Sequence, residues 1–147
     1  MGTRSTIALE FADGTVQQVY CHWDGYLDHN GRILQDHYTD PFKLRDLIDL
    51  GDMSSLGASL GEKHDFDERV NPQTLADTRC TFYGRDRGET GCEARKFKDF
   101  ADYKANHQYE EYEYILRACG DKAVWFVADH SNTYVPLIEA LAEEAVA

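Results

Sequence analysis

The segment "YEEYEYILRACGDKAVWFVAD", residues 109–129, constrains the fold of this chain most strongly. Two runs of alternating side chains flank Gly120-Asp121, a pair that favours a tight turn. Because side chains of a strand point to opposite faces in turn, the segment predicts an antiparallel hairpin. One face of its first strand carries Tyr112, Tyr114 and Leu116, and the other carries Glu111, Glu113 and Ile115.

Further elements follow from periodicity and from turn residues. Alternating apolar residues on either side of Asp13-Gly14 predict a hairpin at the N-terminus, and residues 79–98 predict another around Gly84 to Gly91. The clearest helix has Asp40 as its cap and Pro41 in its first turn, and it ends at Gly51. Its expected apolar face includes Phe42, Leu44, Leu47 and Ile48. Shorter helical patterns occupy the stretches before Thr39, after Phe97 and after Pro136, the last with Leu137, Ile138 and Leu141 inward.

Hairpins that alternate with helices predict an α+β fold. At 147 residues, the chain 1–147 is long enough for one domain with one core. We therefore expect a single α+β domain, with an antiparallel sheet built from hairpins and helices packed on one face. Residues 52–78 are rich in Gly, Ser and polar side chains and predict an irregular, mobile connector.

Charge and composition limit the classes of function. The net charge of −12 argues against direct nucleic-acid binding, which relies on neutralising phosphates, and suits a partner with a basic surface. The sequence has no apolar run that predicts a membrane span or a secretory leader. Its four cysteines form no C-x-x-C pair, so we expect reduced thiols in a cytoplasmic protein.

The stretch "YCHWDGY", residues 20–26, is the first candidate site. On a strand, His22 and Asp24 would share one face and could form a base and its orienting carboxylate. Alternatively, Trp23 packs into the core while Asp24-Gly25 turns the chain and Asp24 caps the next helix. We expect Trp23 to be buried. The histidine spacings match no zinc motif, so we expect neither a metal nor a cofactor.

The stretch "YGRDRGE", residues 83–89, is the second candidate. In an extended segment Arg85 and Arg87 would lie on one face, and arginine forks suit phosphates and carboxylates. The alternative is a charged tip at which Asp86 and Glu89 neutralise the arginines. Together with His22 and Asp24, the two arginines define an alternative function, a small-anion or nucleotide-binding protein or a hydrolase.

The third candidate is the acidic, tyrosine-rich start of the predicted hairpin. Tyrosine is enriched at protein interfaces, and carboxylates beside it complement a basic partner. The predicted partner-binding residues are Tyr109, Glu110, Glu111, Tyr112, Glu113 and Tyr114. The alternative is a half-buried strand with an acidic outer face.

Several stretches, in this order, resemble one family of small proteins from tailed bacteriophages, plasmids and integrated mobile elements. They are "TRSTIALE", "YCHWDGYLDHNGRILQDHY", "LIDLGDMSSLG", "EKHDFD", "TFYGRDRGE" and a late "YVPL". The resemblance implies a mobile-element origin and a bacterial cytoplasmic setting. It implies no activity, cofactor or catalytic residue. Since small acidic proteins of such elements often inhibit host systems, we expect a non-enzymatic, anti-CRISPR-like protein. Its predicted partner is a host protein, such as a CRISPR–Cas effector subunit, that is bound on a nucleic-acid-facing surface.

Overall fold

The computed structural model describes residues 3–66, 79–129 and 132–146. Within these ranges, eight strands form one sheet with the order β4-β3-β2-β1-β6-β7-β8, and β5 pairs with β2 beside it. The strands are β1 (Ser5–Glu10), β2 (Val16–Cys21), β3 (Met53–Ser55), β4 (Thr81–Phe82), β5 (Arg95–Phe97), β6 (Tyr112–Cys119), β7 (Lys122–Ala128) and β8 (Val135–Pro136). The two long hairpins, β1–β2 and β6–β7, form as predicted.

Five α-helices flank the sheet in the described chain. They are α1 (Arg32–His37), α2 (Pro41–Asp49), α3 (Tyr83–Arg87), α4 (Phe100–Asn106) and α5 (Leu137–Val146), and a π-helical turn (Leu27–Gly31) precedes α1. The prediction of a single α+β domain is confirmed. The sheet is mixed rather than wholly antiparallel, because the hairpins meet through β1 and β6, which run in the same direction. Strands β2 and β3 are also parallel.

The main core lies on the face of the sheet that α1, α2 and α5 cover. It contains Ile7, Val19, Leu116 and Trp125 from the strands, with Leu34, Leu47, Leu137 and Leu141 from the helices. The opposite face carries a smaller cluster, in which Tyr103 of α4 packs on Ala8, Val16 and Ile115. Helices therefore pack on both faces. As a result β1 and β6 are covered on both sides, and adjacent side chains such as Tyr114 and Ile115 are both buried.

Helix α2 begins as predicted, because the Asp40 carboxylate accepts a hydrogen bond of 2.9 Å from the amide of Phe42 and Pro41 occupies the first turn. Leu44, Leu47 and Ile48 are buried against the sheet. Phe42 was expected on the same face, yet 67% of its surface is exposed. In helix α5, Ile138 is likewise 61% exposed rather than inward.

The hairpin predicted within 79–98 does not form. After β4 the chain enters helix α3, which ends at Gly88 in the left-handed conformation (φ 73°). Strand β5 then pairs with β2 rather than with β4. Two carboxylates explain this path: Asp86 accepts a hydrogen bond from the Phe82 amide, and Asp52 binds Arg95.

Within the predicted connector, β3 pairs with β2 and β4, and residues 67–78 lie outside the described residues.

Candidate functional site

The turn after β2 displays two aromatic side chains to solvent. Trp23 is 43% exposed and Tyr26 is 40% exposed, so the prediction of a buried Trp23 is wrong. The reason is that β2 ends at Cys21, whose side chain takes the last inward position, and the chain bends before Trp23 reaches the core. Trp125, on β7, is the tryptophan that fills the core.

Three hydrogen bonds fix the backbone of this turn. The Gly25 amide donates to the carbonyl of Thr3 at 2.7 Å. The Tyr114 hydroxyl donates to the Gly25 carbonyl at 2.6 Å. The side-chain amide of the buried Asn30 donates to the Trp23 carbonyl at 3.2 Å. Because these partners come from the residues before β1, from β6 and from the π-helical turn, the backbone that carries Trp23 and Tyr26 is held from three sides.

The turn also contains strain and a close approach. Asp24 has a φ of 58°, a left-handed conformation that is uncommon outside glycine. A Cβ atom on Gly25 would lie 2.7 Å from the Cβ of Ser5, so no larger residue fits there. The chain bends at Trp23 and at Tyr26, on either side of the predicted Asp24-Gly25 turn. Tyr26 takes the N-cap position of the following π-helical turn, and Asp24 does not cap it. Strained backbone that the surrounding structure holds in place is typical of functional sites.

His22 and the two arginines have separate partners. The Nδ1 atom of His22 shares a hydrogen bond of 2.7 Å with the Tyr20 hydroxyl, and its ring stands edge-on to Trp23. Asp24 bends the backbone next to it. The Arg85 guanidinium binds the Asp86 carboxylate at 3.0 Å. It also donates to the carbonyls of Leu60, Gly61 and Cys80, so it braces the fold.

Arg87 is more exposed than Arg85. It pairs with Glu89 at 2.6 Å and lies over the rings of Phe66 and Tyr83. Asp86 and Glu89 thus pair with the two arginines inside the segment, as the alternative interpretation of "YGRDRGE" expected. In this geometry the donors of Arg85 are directed at protein atoms rather than at a ligand.

The predicted partner-binding segment divides between the surface and the interior. Tyr109 is 52% exposed, Glu111 is exposed and Tyr112 is half-buried. Tyr114 and Glu113 are buried, the latter with 1% of its surface exposed. The prediction that Glu113 and Tyr114 lie on the surface is therefore wrong, because helices cover both faces of β6.

Burial changes the chemistry of Glu113. Its carboxylate accepts a hydrogen bond of 2.5 Å from the Glu110 amide. Burial, together with the nearby carboxylates of Glu110 and Asp129, outweighs this bond and raises the pKa of Glu113 to about 8. The group is therefore protonated in the folded protein at neutral pH.

An open cleft of about 500 Å³ lies beside Tyr112, between β7, β8 and α5. Its charged lining residues are all acidic, namely Asp129, Glu143 and Glu144. Its apolar walls include Leu27, Val127 and Val135. Burial and the carboxylates of Glu144, Asp129 and Glu111 raise the pKa of Tyr112, which indicates that these groups lie close to its ring.

The aromatic turn and the cleft lie at the same end of the sheet. Ser5 pairs with Cys21 on one side and with Tyr112 on the other, so the turn after Cys21 is two strands away from Tyr112. Leu27, which lines the cleft, directly follows Tyr26. We call the set Trp23, Tyr26, Tyr112, Asp129, Glu143 and Glu144 the acidic–aromatic surface.

Sequence reasoning found Tyr112 but missed most of this surface. Glu143 and Glu144 lie near the end of the helix predicted after Pro136, and nothing in the sequence pattern indicates which strand that helix covers. Asp129 could have been found, because the hairpin register places the end of β7 beside the start of β6. Tyr26 carries no periodic signal, and its exposure depends on the turn at Asp24.

Comparisons with protein-family models, with curated proteins and with solved structures found no match to this chain. The resemblance to mobile-element proteins stays a prediction.

Within 3–66, 79–129 and 132–146, no group of three or more His, Cys, Asp or Glu side chains could hold a metal ion. None of the described helices has the length and apolar character needed to cross a bilayer.

Proposed function

We propose that this protein acts without catalysis, by binding a basic surface of a partner protein through the acidic–aromatic surface. The observation that carries the proposal is that two exposed aromatic rings, Trp23 and Tyr26, lie at the same end of the sheet as the acidic cleft at Tyr112. Tryptophan and tyrosine dominate the energetics of protein interfaces, and carboxylates around them complement a basic partner.

Rigidity supports the same proposal. A binding loop that is already held in its bound shape loses little conformational entropy on association. The hydrogen bonds of Gly25 to Thr3 and Tyr114 hold the turn in this way. The left-handed backbone of Asp24 supports the proposal as well, because strained backbone is typical of functional sites.

The partner that we propose is a host protein with a nucleic-acid-facing surface, such as a CRISPR–Cas effector subunit. The net charge of −12 and the acidic cleft suit such a surface, because a groove that binds phosphates is rich in Lys and Arg. The setting, a bacteriophage or another mobile element in a bacterial cell, rests on the resemblance of the sequence.

The test is retention of proteins from bacterial lysate on the immobilised wild-type chain and on two variants. Trp23→Ala removes the exposed ring of the proposed surface. Phe42→Ala is the matched control, since Phe42 is also exposed but lies beside Phe11 and Ala118, at the opposite end of the sheet. We expect one protein with a basic surface to be retained by the wild type and by Phe42→Ala, and to be lost from Trp23→Ala. Equal retention by all three would refute the proposal.

A further inference from the structure

We infer that the cleft between α2 and the turn end of the β6–β7 hairpin is a binding site for a small aliphatic monocarboxylate. This inference goes beyond the proposed function, because the cleft and the acidic–aromatic surface lie at opposite ends of the sheet. Tyr112 stands at one end of the β1–β6 ladder. Leu9 and Leu116 pair at the other end, and both line this cleft.

The cleft is small and mainly apolar. Its volume is about 280 Å³. Leu9 and Leu116 are buried beneath it, and Phe11 and Ala123 are half-buried at its sides. The volume lies just below the range of pockets that hold drug-sized molecules, so it suits a smaller ligand. Such a lining favours an aliphatic chain, because removing apolar surface from water is favourable.

A large aromatic side chain is exposed at the mouth of this cleft. Phe42 belongs to α2, in which Leu44, Leu47 and Ile48 are buried, yet 67% of the surface of Phe42 is exposed. An exposed apolar surface that continues into a concave apolar lining is typical of a ligand-binding groove. The Phe42 ring therefore gives the aliphatic chain a further contact surface.

The charges at the cleft favour a carboxylate. Glu10 and Arg117 line it but bind each other at 3.1 Å, so their charges offset one another. Arg45 also lines it, and its guanidinium lies 5.2 Å from the centre of the Phe42 ring. Arg45 is exposed and forms no ion pair with a carboxylate in the described part of the chain. Its planar donors match the two oxygens of a carboxylate.

Other occupants fit this cleft less well. Two copies of a chain with a net charge of −12 repel each other, which disfavours a second copy docked here. A neutral apolar ligand would fill the cleft but leave Arg45 without a partner. A monocarboxylate uses both features, because its chain packs on the apolar lining while its charged end stays at the solvent-exposed mouth beside Arg45.

The test is an NMR titration of the ¹⁵N-labelled full chain with butanoate, hexanoate and octanoate. We expect saturating shifts at the backbone signals of Phe11, Arg45 and Ala123. Hexanoate should bind more tightly than butanoate, by about fourfold for each added methylene group that enters the cleft. The control is 1-hexanol, which keeps the chain without the charge and should bind about fivefold more weakly than hexanoate.

Variants locate the site. Ala118 lines the cleft and is exposed, so Ala118→Phe should fill the cleft and abolish hexanoate binding. Its matched control is Cys119→Phe, because the exposed Cys119 is the next residue of the strand and points to the other face. Arg45→Gln should weaken hexanoate binding about fivefold and leave 1-hexanol unaffected. Arg32→Gln, at an exposed arginine of α1, should change neither.

The inference is overturned if hexanoate leaves the cleft signals unmoved, if it binds no better than butanoate or 1-hexanol, or if Ala118→Phe binds it like Cys119→Phe. These outcomes are separate from those of the proposed function. A partner that is retained through Trp23 by a chain whose cleft ignores hexanoate would support the function and reject the site. A cleft that binds hexanoate in a chain that retains no partner would do the reverse.

Discussion

The Tyr114 hydroxyl lies 2.6 Å from the carbonyl oxygen of Gly25 and donates a hydrogen bond to it. The bond joins a buried strand residue to a turn that is 89 residues away in the sequence. It connects the two halves of the acidic–aromatic surface, because Tyr112, two residues before Tyr114, lines the cleft and Trp23 and Tyr26 flank Gly25.

Tyr114→Phe should therefore loosen the turn. The variant keeps the ring in the core but leaves the Gly25 carbonyl without its donor, which costs about 1–3 kcal/mol for a buried group. We expect a lower free energy of unfolding in urea and faster amide hydrogen exchange at Gly25. Tyr112→Phe is the control, since its ring neighbours Tyr114 and lines the cleft instead. Unchanged exchange at Gly25 in Tyr114→Phe would show that the turn holds its shape without this bond.

The two tryptophans should differ in their effect on stability. Trp125 is 1% exposed and its indole N–H donates to the Tyr38 carbonyl at 3.0 Å. Trp125→Ala should lower the free energy of unfolding by about 3–5 kcal/mol. Trp23→Ala should lower it by about 1 kcal/mol or less, because 43% of Trp23 is already exposed.

Denaturant titration of both tryptophan variants measures this difference. Acrylamide quenching of the single-tryptophan variants checks it independently, because only an exposed indole is quenched efficiently. A large loss of stability in Trp23→Ala would indicate that Trp23 is buried in the core and is not part of the proposed surface.

The buried carboxyl group of Glu113 should make stability depend on pH. Its pKa is raised from 4.5 to about 8 in the folded protein, chiefly by burial. Between these values the folded chain holds a proton that the unfolded chain has released, so the free energy of unfolding falls as pH rises, by about 1.4 kcal/mol per pH unit at most. The contribution is fully present below about pH 4.5 and is lost as the pH passes 8.

Glu113→Gln keeps an acceptor for the Glu110 amide and removes the ionisation. The variant should gain stability relative to the wild type as the pH is raised from 5 to about 8, measured by urea unfolding across that range. Glu111→Gln, which changes an exposed carboxylate two residues away, is the control. A stability difference between Glu113→Gln and wild type that stays constant with pH would contradict the protonated state of Glu113.

Local patterns predicted the local elements of this fold. Both long hairpins and the Asp40-capped helix follow from alternation, turn residues and capping, which are properties of neighbouring residues. The parallel pairing of β1 with β6 did not follow, because no local signal states which strands of two hairpins meet. The packing of α4 on the second face of the sheet did not follow either, for the same reason. Because that face is covered, Glu113 is buried rather than on the surface as expected.

Only part of the site was predicted, because local patterns do not show which distant residues come into contact. "YCHWDGY" was identified from its composition, but the exposure of Trp23 depends on Asp24 adopting a left-handed backbone, which is held by contacts to Thr3, Asn30 and Tyr114. The sequence favours an extended segment for "YGRDRGE", whereas Gly88 and Asp86 make it a short helix. Long-range contacts decided the first outcome, whereas the second depends on the bond from the Phe82 amide to Asp86 and on the left-handed Gly88, both within the segment itself or next to it.

The central claim is that the acidic–aromatic surface binds a basic partner, and association kinetics test it most directly. The partner retained by the immobilised chain is purified, and its association and dissociation rates are measured at low and high ionic strength. Charge reversal uses Glu143→Lys with Glu144→Lys, since a lysine at the buried Glu113 would disturb the fold itself. Electrostatic steering predicts that association of the wild type slows by about tenfold or more at high salt while dissociation changes less. It also predicts that the charge-reversed chain associates slowly at both ionic strengths. An association rate that ignores salt, with the charge-reversed chain binding like the wild type, would contradict the claim.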